Sequence, residues 1–442
     1  MLGFVSHAHV DSIRDTEHCR PMALTPRIGI SDRAFPRPRP FLPFLRAAWA
    51  ALVLAGAVLS TGCTTVSSNR PVGPWNLAEL SKVPVATWGP TNGLVQELYY
   101  QGEPLGGKPT RIFAYLGRPT NSASARSPAM VLVHGGGGKA FKDWAEHWAK
   151  RGYVALAMDL AGNGPSGRLP DGGPDQADRL KFRNFSENEA PQMWTYHAVA
   201  AVLRGHSLLR ALPGVDRDRI GITGISWGGY LTCIAAGIDA RFKVAVPVYG
   251  CGFLGDNSVW ADKSLAEMTP AARALWLRLF DPSAYVGGVR YPILFVNGTT
   301  DFAYPMDSYQ KTYRLVPEAW RQVSMAVNRP HGHIWTFPEV DAFVGSVLRH
   351  DPPLVRVGSA KLDAGRLTAH VNRAKGSWDS SLCYTTNSGP WQERKWQTVP
   401  ARVEGRQLFA ELPSARPIVA FLAMKDEAGN HISSEHVEIP RH

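Results

Sequence analysis

Between residues 90 and 350 short, uninterrupted apolar runs alternate with longer helix-like stretches, and this alternation limits the possible folds more than any other feature. The runs at 129–134, 153–159, 220–224, 244–248 and 292–296 are rich in Val, Ile, Leu and Ala and are bounded by Gly, Pro or Asp. A strand with no polar alternation is buried on both faces, as in a parallel sheet. Helical stretches are expected at 139–151, 193–212, 227–237, 307–315 and 338–348. Alternating strands and helices predict a parallel sheet covered by helices, the α/β class. The 442-residue chain is too long for one ordinary core, so a smaller second domain is expected.

The strongest motif is Gly221-Ile-Thr-Gly224-Ile-Ser226-Trp227-Gly228-Gly229. Its Gly-x-Ser-x-Gly core follows a strand and opens a helix, the setting of a nucleophile elbow. Such a turn is cramped, so side chains larger than hydrogen on its flanks would collide with neighbouring elements. It exposes the serine hydroxyl at a helix N-terminus, which favours developing negative charge. Ser226 is therefore the candidate nucleophile.

A second motif, Leu132-Val133-His134 followed by four glycines, also joins a strand to a helix. It lacks the Gly-Lys-Ser/Thr ending of a phosphate loop and the spacing of a dinucleotide fingerprint. It reads as a loop whose backbone N–H groups face a substrate oxygen. After the later run 292–296 comes Asn297-Gly-Thr-Thr-Asp301, and Asp301 is the candidate acid. A further strand at 321–327 leads into Asn328-Arg-Pro-His331-Gly-His333. A base needs one ring nitrogen toward the serine and one toward the acid. Loop position favours His333, with His331 as the alternative. The order Ser226, Asp301, His333 is that of α/β-hydrolases and differs from the chymotrypsin and subtilisin orders.

These motifs resemble bacterial dienelactone hydrolase-like and acetyl xylan esterase-like proteins, and also the prolyl oligopeptidase-type catalytic domain. The resemblance covers roughly residues 90–350. It implies an α/β-hydrolase fold and a Ser226–His333–Asp301 triad, with the backbone N–H groups of Trp227 and Gly136 as oxyanion donors. It implies no cofactor and no metal. True dienelactone hydrolases use a cysteine nucleophile, so Ser226 argues against that particular activity. Oligopeptidases carry a β-propeller before the catalytic domain, and only a short segment precedes it here. The expected chemistry is acyl transfer to water. The expected substrate is a short acyl ester, acetyl on carbohydrate foremost, with a peptidase or a non-catalytic surface-binding lipoprotein as the alternatives.

Residues 250–288 form a longer connection with Trp260, Met268, Trp276 and Phe280, suited either to a wall of the site or to packing on the domain. Beyond residue 351 short alternating segments recur at 361–371, 381–386, 394–403, 407–412, 418–424 and 435–439. They predict a small C-terminal β-sandwich over 351–442. Its Trp378, Tyr384, Trp391 and Trp396 read as core residues, with a sugar-stacking face as the alternative.

Arg37, Arg39 and Arg46 precede an apolar stretch at 47–59, and Ser60-Thr-Gly-Cys63 follows. A basic segment, a short apolar run and small residues make an export signal, with residues 1–62 as leader and 63–89 as tether and lead-in. The pattern resembles a bacterial lipoprotein signal, which implies lipid on Cys63, a membrane anchor there, and an exported protein. Ser60 stands where that family most often has Leu. The net charge is +11, of which +3 lies in residues 1–62. No basic run with interleaved aromatics points to nucleic acid. The remaining cysteines, Cys233, Cys251 and Cys383, have no metal-type spacing and read as buried thiols, although a Cys233–Cys251 disulfide is conceivable in an oxidising compartment.

Overall fold

The computed structural model describes residues 73–120, 126–372 and 377–441. The export signal, the 1–62 leader boundary and Cys63 lie outside these residues. Among them, no helix is long and apolar enough to cross a membrane.

The region before residue 350 is built on a nine-stranded run of one sheet. Its strands are β1 (Ala86–Asn92), β2 (Val95–Gln101), β3 (Arg111–Gly117), β4 (Ser127–Val133), β5 (Val154–Met158), β6 (Val215–Ile225), β7 (Val244–Val248), β8 (Ile293–Gly298) and β9 (Arg321–Ala326). They lie in the order β1-β2-β3-β5-β4-β6-β7-β8-β9. The first three pair antiparallel, and β5 through β9 pair parallel. Helices α1 (Lys142–Lys150), α2 (Trp194–Ala211), α3 (Trp227–Ile238), α4 (Pro270–Phe280), α5 (Met306–Arg314) and α6 (Pro338–Leu348) form the principal helical set. Every residue of β4, β5, β7 and β8 is buried, which explains their unbroken apolar sequence.

The chain leaves β4 toward β5 on one side, and later returns to place β6 on the other. The C-terminal ends of β4 and β6 therefore flank a topological switch point, where open α/β sheets place their ligands. The glycine loop after β4 and Ser226 after β6 meet at that crevice.

The C-terminal region holds the expected antiparallel strands in two sheets, and one of these is continuous with the central sheet. Its strands β12 (Trp378–Thr385), β13 (Gln397–Pro400), β16 (Ile418–Asp426), β17 (His431–Ser433) and β18 (Val437–Ile439) continue the nine-stranded run, because β17 pairs antiparallel with β9 at Val323↔Ser433. A separate four-stranded sheet holds β10 (Lys361–Asp363), β11 (Arg366–His370), β14 (Arg402–Glu404) and β15 (Gln407–Glu411). The single strand expected at 361–371 is a hairpin, since Ala364 and Gly365 both take positive φ at its turn. Trp391, Trp396 and Tyr384 are buried, so these aromatics build a core rather than an open stacking face. Cys233, Cys251 and Cys383 are buried free thiols, and burial raises the pKa of each. The Cys233–Cys251 disulfide is thus not formed.

Candidate active site

Ser226 joins β6 to α3 with φ +62° and ψ −122°, a backbone conformation that L-residues seldom adopt. Its neighbours hold it there. Ser226 N–H donates to Val248 O at 2.9 Å, and Tyr230 N–H donates to Ser226 O at 3.0 Å. The flanking glycines are steric requirements. A Cβ on Gly228 would overlap the Val133 carbonyl, and one on Gly224 would lie 2.7 Å from that same oxygen. The turn therefore packs backbone against the end of β4, leaving Ser226 at the start of α3.

The glycine loop shapes the facing wall. His134 is buried, and its Nε2 accepts from Leu160 N–H at 2.9 Å. The proton must then sit on Nδ1, which donates to Gly135 O at 2.8 Å. Burial lowers the pKa of this imidazole, in keeping with a neutral structural role. Gly136 rests against the ring of Trp227. Gly136, Ser226 and Trp227 all line one cleft of about 640 Å³, together with Lys181, Trp260 and Phe302.

Asp301 lies past β8 and is almost wholly buried. Its Oδ1 accepts from Ala303 N–H at 2.9 Å and Tyr304 N–H at 2.8 Å. Its Oδ2 lies 2.7 Å from Nδ1 of His331. The structure thus pairs Asp301 with His331, and the expected pairing with His333 is corrected. Four groups seat His331: the carboxylate, the ring of Tyr249 stacked at 4.4 Å, the ring of Phe302 at 4.8 Å and the ring of Tyr304 stacked at 6.4 Å. Tyr249 also donates from its hydroxyl to Pro330 O at 2.8 Å, fixing the loop directly before the imidazole.

His333 is not the partner of Asp301. Its ring stacks on Phe141 at 6.0 Å, and its Nε2 is buried without a hydrogen-bond partner. A Cβ added to Gly135 would run into this Nε2 and lie 2.8 Å from Ser226 Cβ. His333 therefore packs beside Ser226, across the first glycine of the loop. Burial, followed by the neighbouring His331 and His134 rings, pushes its pKa down to about 4.

Two features of the site were not read from the sequence. Tyr249 is one; its signal was its place immediately after an apolar strand at the sheet's C-terminal edge. Lys181 is the other. Its side chain is 3% exposed, with Nζ 2.9 Å from Asp178 and 4.2 Å from the centre of the Trp227 ring. Burial lowers its pKa while Asp178 opposes the shift. Asp178 also accepts from Trp260 Nε1 at 3.1 Å, so one carboxylate ties the lysine to the 250–288 connection. That connection serves both expected purposes: Trp260 lines the cleft, whereas Trp276 and Phe280 are fully buried. Among the described residues, no group of three or more His, Cys, Asp or Glu side chains is arranged to hold a metal ion.

Fold and site together define an α/β-hydrolase. The chain belongs to the Dienelactone hydrolase family, whose profile matches residues 112–336. It is 27% identical over 207 residues to a Bradyrhizobium protein named as a probable 2-oxo-3-(5-oxofuran-2-ylidene)propanoate lactonase, covering 46% of this chain and 74% of that one. It is 34% identical over 134 residues to an uncharacterized Pseudomonas aeruginosa protein, spanning 29% of this chain and only 30% of the relative. Among solved structures, the acetyl xylan esterase from Paenibacillus sp. R4 aligns with a TM-score of 0.48 at 18% identity, covering 59% of this chain and 88% of that one. An acylaminoacyl peptidase from Pyrococcus horikoshii aligns with a TM-score of 0.40 at 22% identity, covering 54% of this chain and 38% of that one.

Proposed function

We propose that the protein is a serine esterase for short acyl esters, with Ser226 as nucleophile, His331 as general base and Asp301 as the carboxylate that orients it. The observation that carries this reading is the Asp301–His331 pair on the loops that follow the sheet, taken with the strained elbow conformation of Ser226. His331 Nδ1–H bound to Asp301 leaves Nε2 free to take the Ser226 proton as Oγ attacks the ester carbonyl. The N–H groups of Trp227 and Gly136 donate hydrogen bonds to the oxyanion. Collapse expels the alcohol, which takes its proton from His331. Water, deprotonated by the same ring, then attacks the acyl-serine; its proton returns to Ser226 as the acid leaves.

The cleft favours a compact acyl group and a polar leaving group. Asp175, Gln176, Lys181 and Lys263 line it beside Trp260 and Phe302, a polar and aromatic mixture that suits a carbohydrate better than a long acyl chain. Export and lipidation at Cys63 belong to the same proposal and rest on the sequence; mass spectrometry of the mature N-terminus reads them.

The test is a substrate panel: p-nitrophenyl acetate and octanoate, an acetylated xylo-oligosaccharide, an enol lactone, and an aminoacyl p-nitroanilide. Acetyl esters should exceed octanoyl esters in kcat/KM, with the anilide poor. An anilide turned over faster than every acetyl ester would overturn the esterase reading and support a peptidase.

A further inference from the structure

The histidine loop is tied to the C-terminal sheet by a chain of buried and half-buried polar groups that the chemistry above does not use. Arg329 stands two residues before His331, and its guanidinium binds Glu339 of α6 at 2.6 Å. Glu339 is only 1% exposed and the Arg329 side chain 14%, so the carboxylate is buried and the guanidinium half-buried. Glu339 Oε1 also accepts from Ser324 Oγ of β9 at 3.0 Å. The single hydroxyl proton of Ser324 is thereby committed. Nδ1 of His431, at 3.3 Å from the same Oγ, must then carry a proton and donate it. Burial, with Arg329 and Lys425 adding to it, pushes the pKa of His431 down to about 3, so the ring is a neutral donor. His431 belongs to β17, the strand that joins the C-terminal sheet to β9. On the same seam, Met325 N–H donates to Ser433 Oγ at 3.0 Å.

The far end of the chain reaches the site. The backbone of Arg329 lies tightly on Gly298, the last residue of β8, three residues before Asp301. Pro330 is held by Tyr249, whose ring also carries His331. The loop is thus held by Gly298, by Tyr249 and by the Arg329–Glu339 pair. The last contact alone depends on the C-terminal sheet.

We propose that His431 is a positioning residue for hydrolysis: acting through Ser324 and Glu339, it fixes Arg329 and with it the loop that presents His331 to Ser226. This rests on reading His331 as the base. A polar network of this kind holds its geometry only while every member is satisfied, and removing one donor loosens the rest. Catalysis is sensitive to displacements of about 1 Å in the presenting group.

The experiment compares the full chain with His431→Phe, which fills the space without a donor, and His431→Asn, which keeps a donor near the position of Nδ1. Steady-state hydrolysis of p-nitrophenyl acetate is measured on protein whose folded fraction is set by thermal melting. The expected result is a fall in kcat of roughly tenfold for His431→Phe with KM nearly unchanged, and recovery to near the parent value for His431→Asn. Should His431→Phe fail to fold, Ser324→Ala breaks the chain one link further on and is expected to show the same split. Parent-like kcat in a folded variant lacking the donor overturns the proposal, and so does failure of His431→Asn to recover. His331→Ala is run alongside. Parent-like activity in that variant would remove the reading of His331 instead, whatever the His431 variants do.

Discussion

His331 and Asp301 face each other across 2.7 Å, each held by groups outside the pair: the imidazole by Tyr249 and Phe302, the carboxylate by two backbone N–H donors. A histidine so placed has one fixed nitrogen and one free. The two loop histidines should therefore differ sharply when removed. His331→Ala should lower kcat/KM by about 10³-fold, within the usual range for loss of a general base, whereas His333→Ala should cost less than about tenfold. Steady-state rates with p-nitrophenyl acetate decide it, and the opposite ranking would return the base to His333.

Ser226→Ala should leave the melting curve close to that of the parent and reduce ester hydrolysis by about 10³-fold or more, the remainder coming from binding and the oxyanion donors. Labelling by a fluorophosphonate probe should vanish with it. Labelling that persists at another serine would displace the elbow as the reactive centre.

Gly228→Ala places a methyl against the Val133 carbonyl, in a turn already packed backbone to backbone. Neither side is a flexible side chain that could move aside. Destabilisation on the order of 2–4 kcal/mol is expected, through overpacking and strain. Urea unfolding measures it; an unchanged midpoint would show that the turn can relax.

Tyr249→Phe keeps the ring on His331 and loses only the hydroxyl bond to Pro330. A net stability loss of about 1 kcal/mol is expected. Tyr249→Ala also removes the stack and should reduce kcat well beyond the Phe variant. Equal kcat in the two variants would mean that the ring does not position the imidazole.

The pH dependence of stability has a definite sign. His197 and His333 are pushed down to about 4, and His431 to about 3, in each case chiefly by burial. Between pH 6.5 and 4 the unfolded chain binds protons that these folded-state rings refuse, so stability rises with pH across that window and falls on acidification. His134 and His206 are shifted in the same direction by burial, whereas Asp281, whose pKa burial raises, acts in the opposite direction. The melting temperature should drop steadily from pH 6.5 to 4.5, with a shallower slope in His197→Asn. A flat profile would contradict the assigned neutral states.

The catalytic sheet was legible because its strands are buried on both faces and so leave unbroken apolar runs. Ser226 and the glycine loop were legible because their local backbone demands glycine at fixed offsets. The choice between His331 and His333 was not. Both sit in one polar, glycine-containing loop, and only the third-dimensional approach of Tyr249 and Asp301 separates them. The antiparallel β1–β3 and the joining of β17 to β9 were also invisible. Register between distant strands depends on pairing that leaves no local mark, and the alternating segments after residue 351 read equally well as a self-contained domain.

That joining changes what residue 351 means as a place to cut. With β17 removed, β9 would end the sheet with unpaired N–H and C=O groups beside buried Val323 and Met325. An uncovered strand border of this kind is a template for pairing with other chains. The catalytic region expressed alone would carry a self-associating face that the full chain never displays, so loss of soluble activity on truncation would not by itself reveal a glycan-binding role for the C-terminal strands.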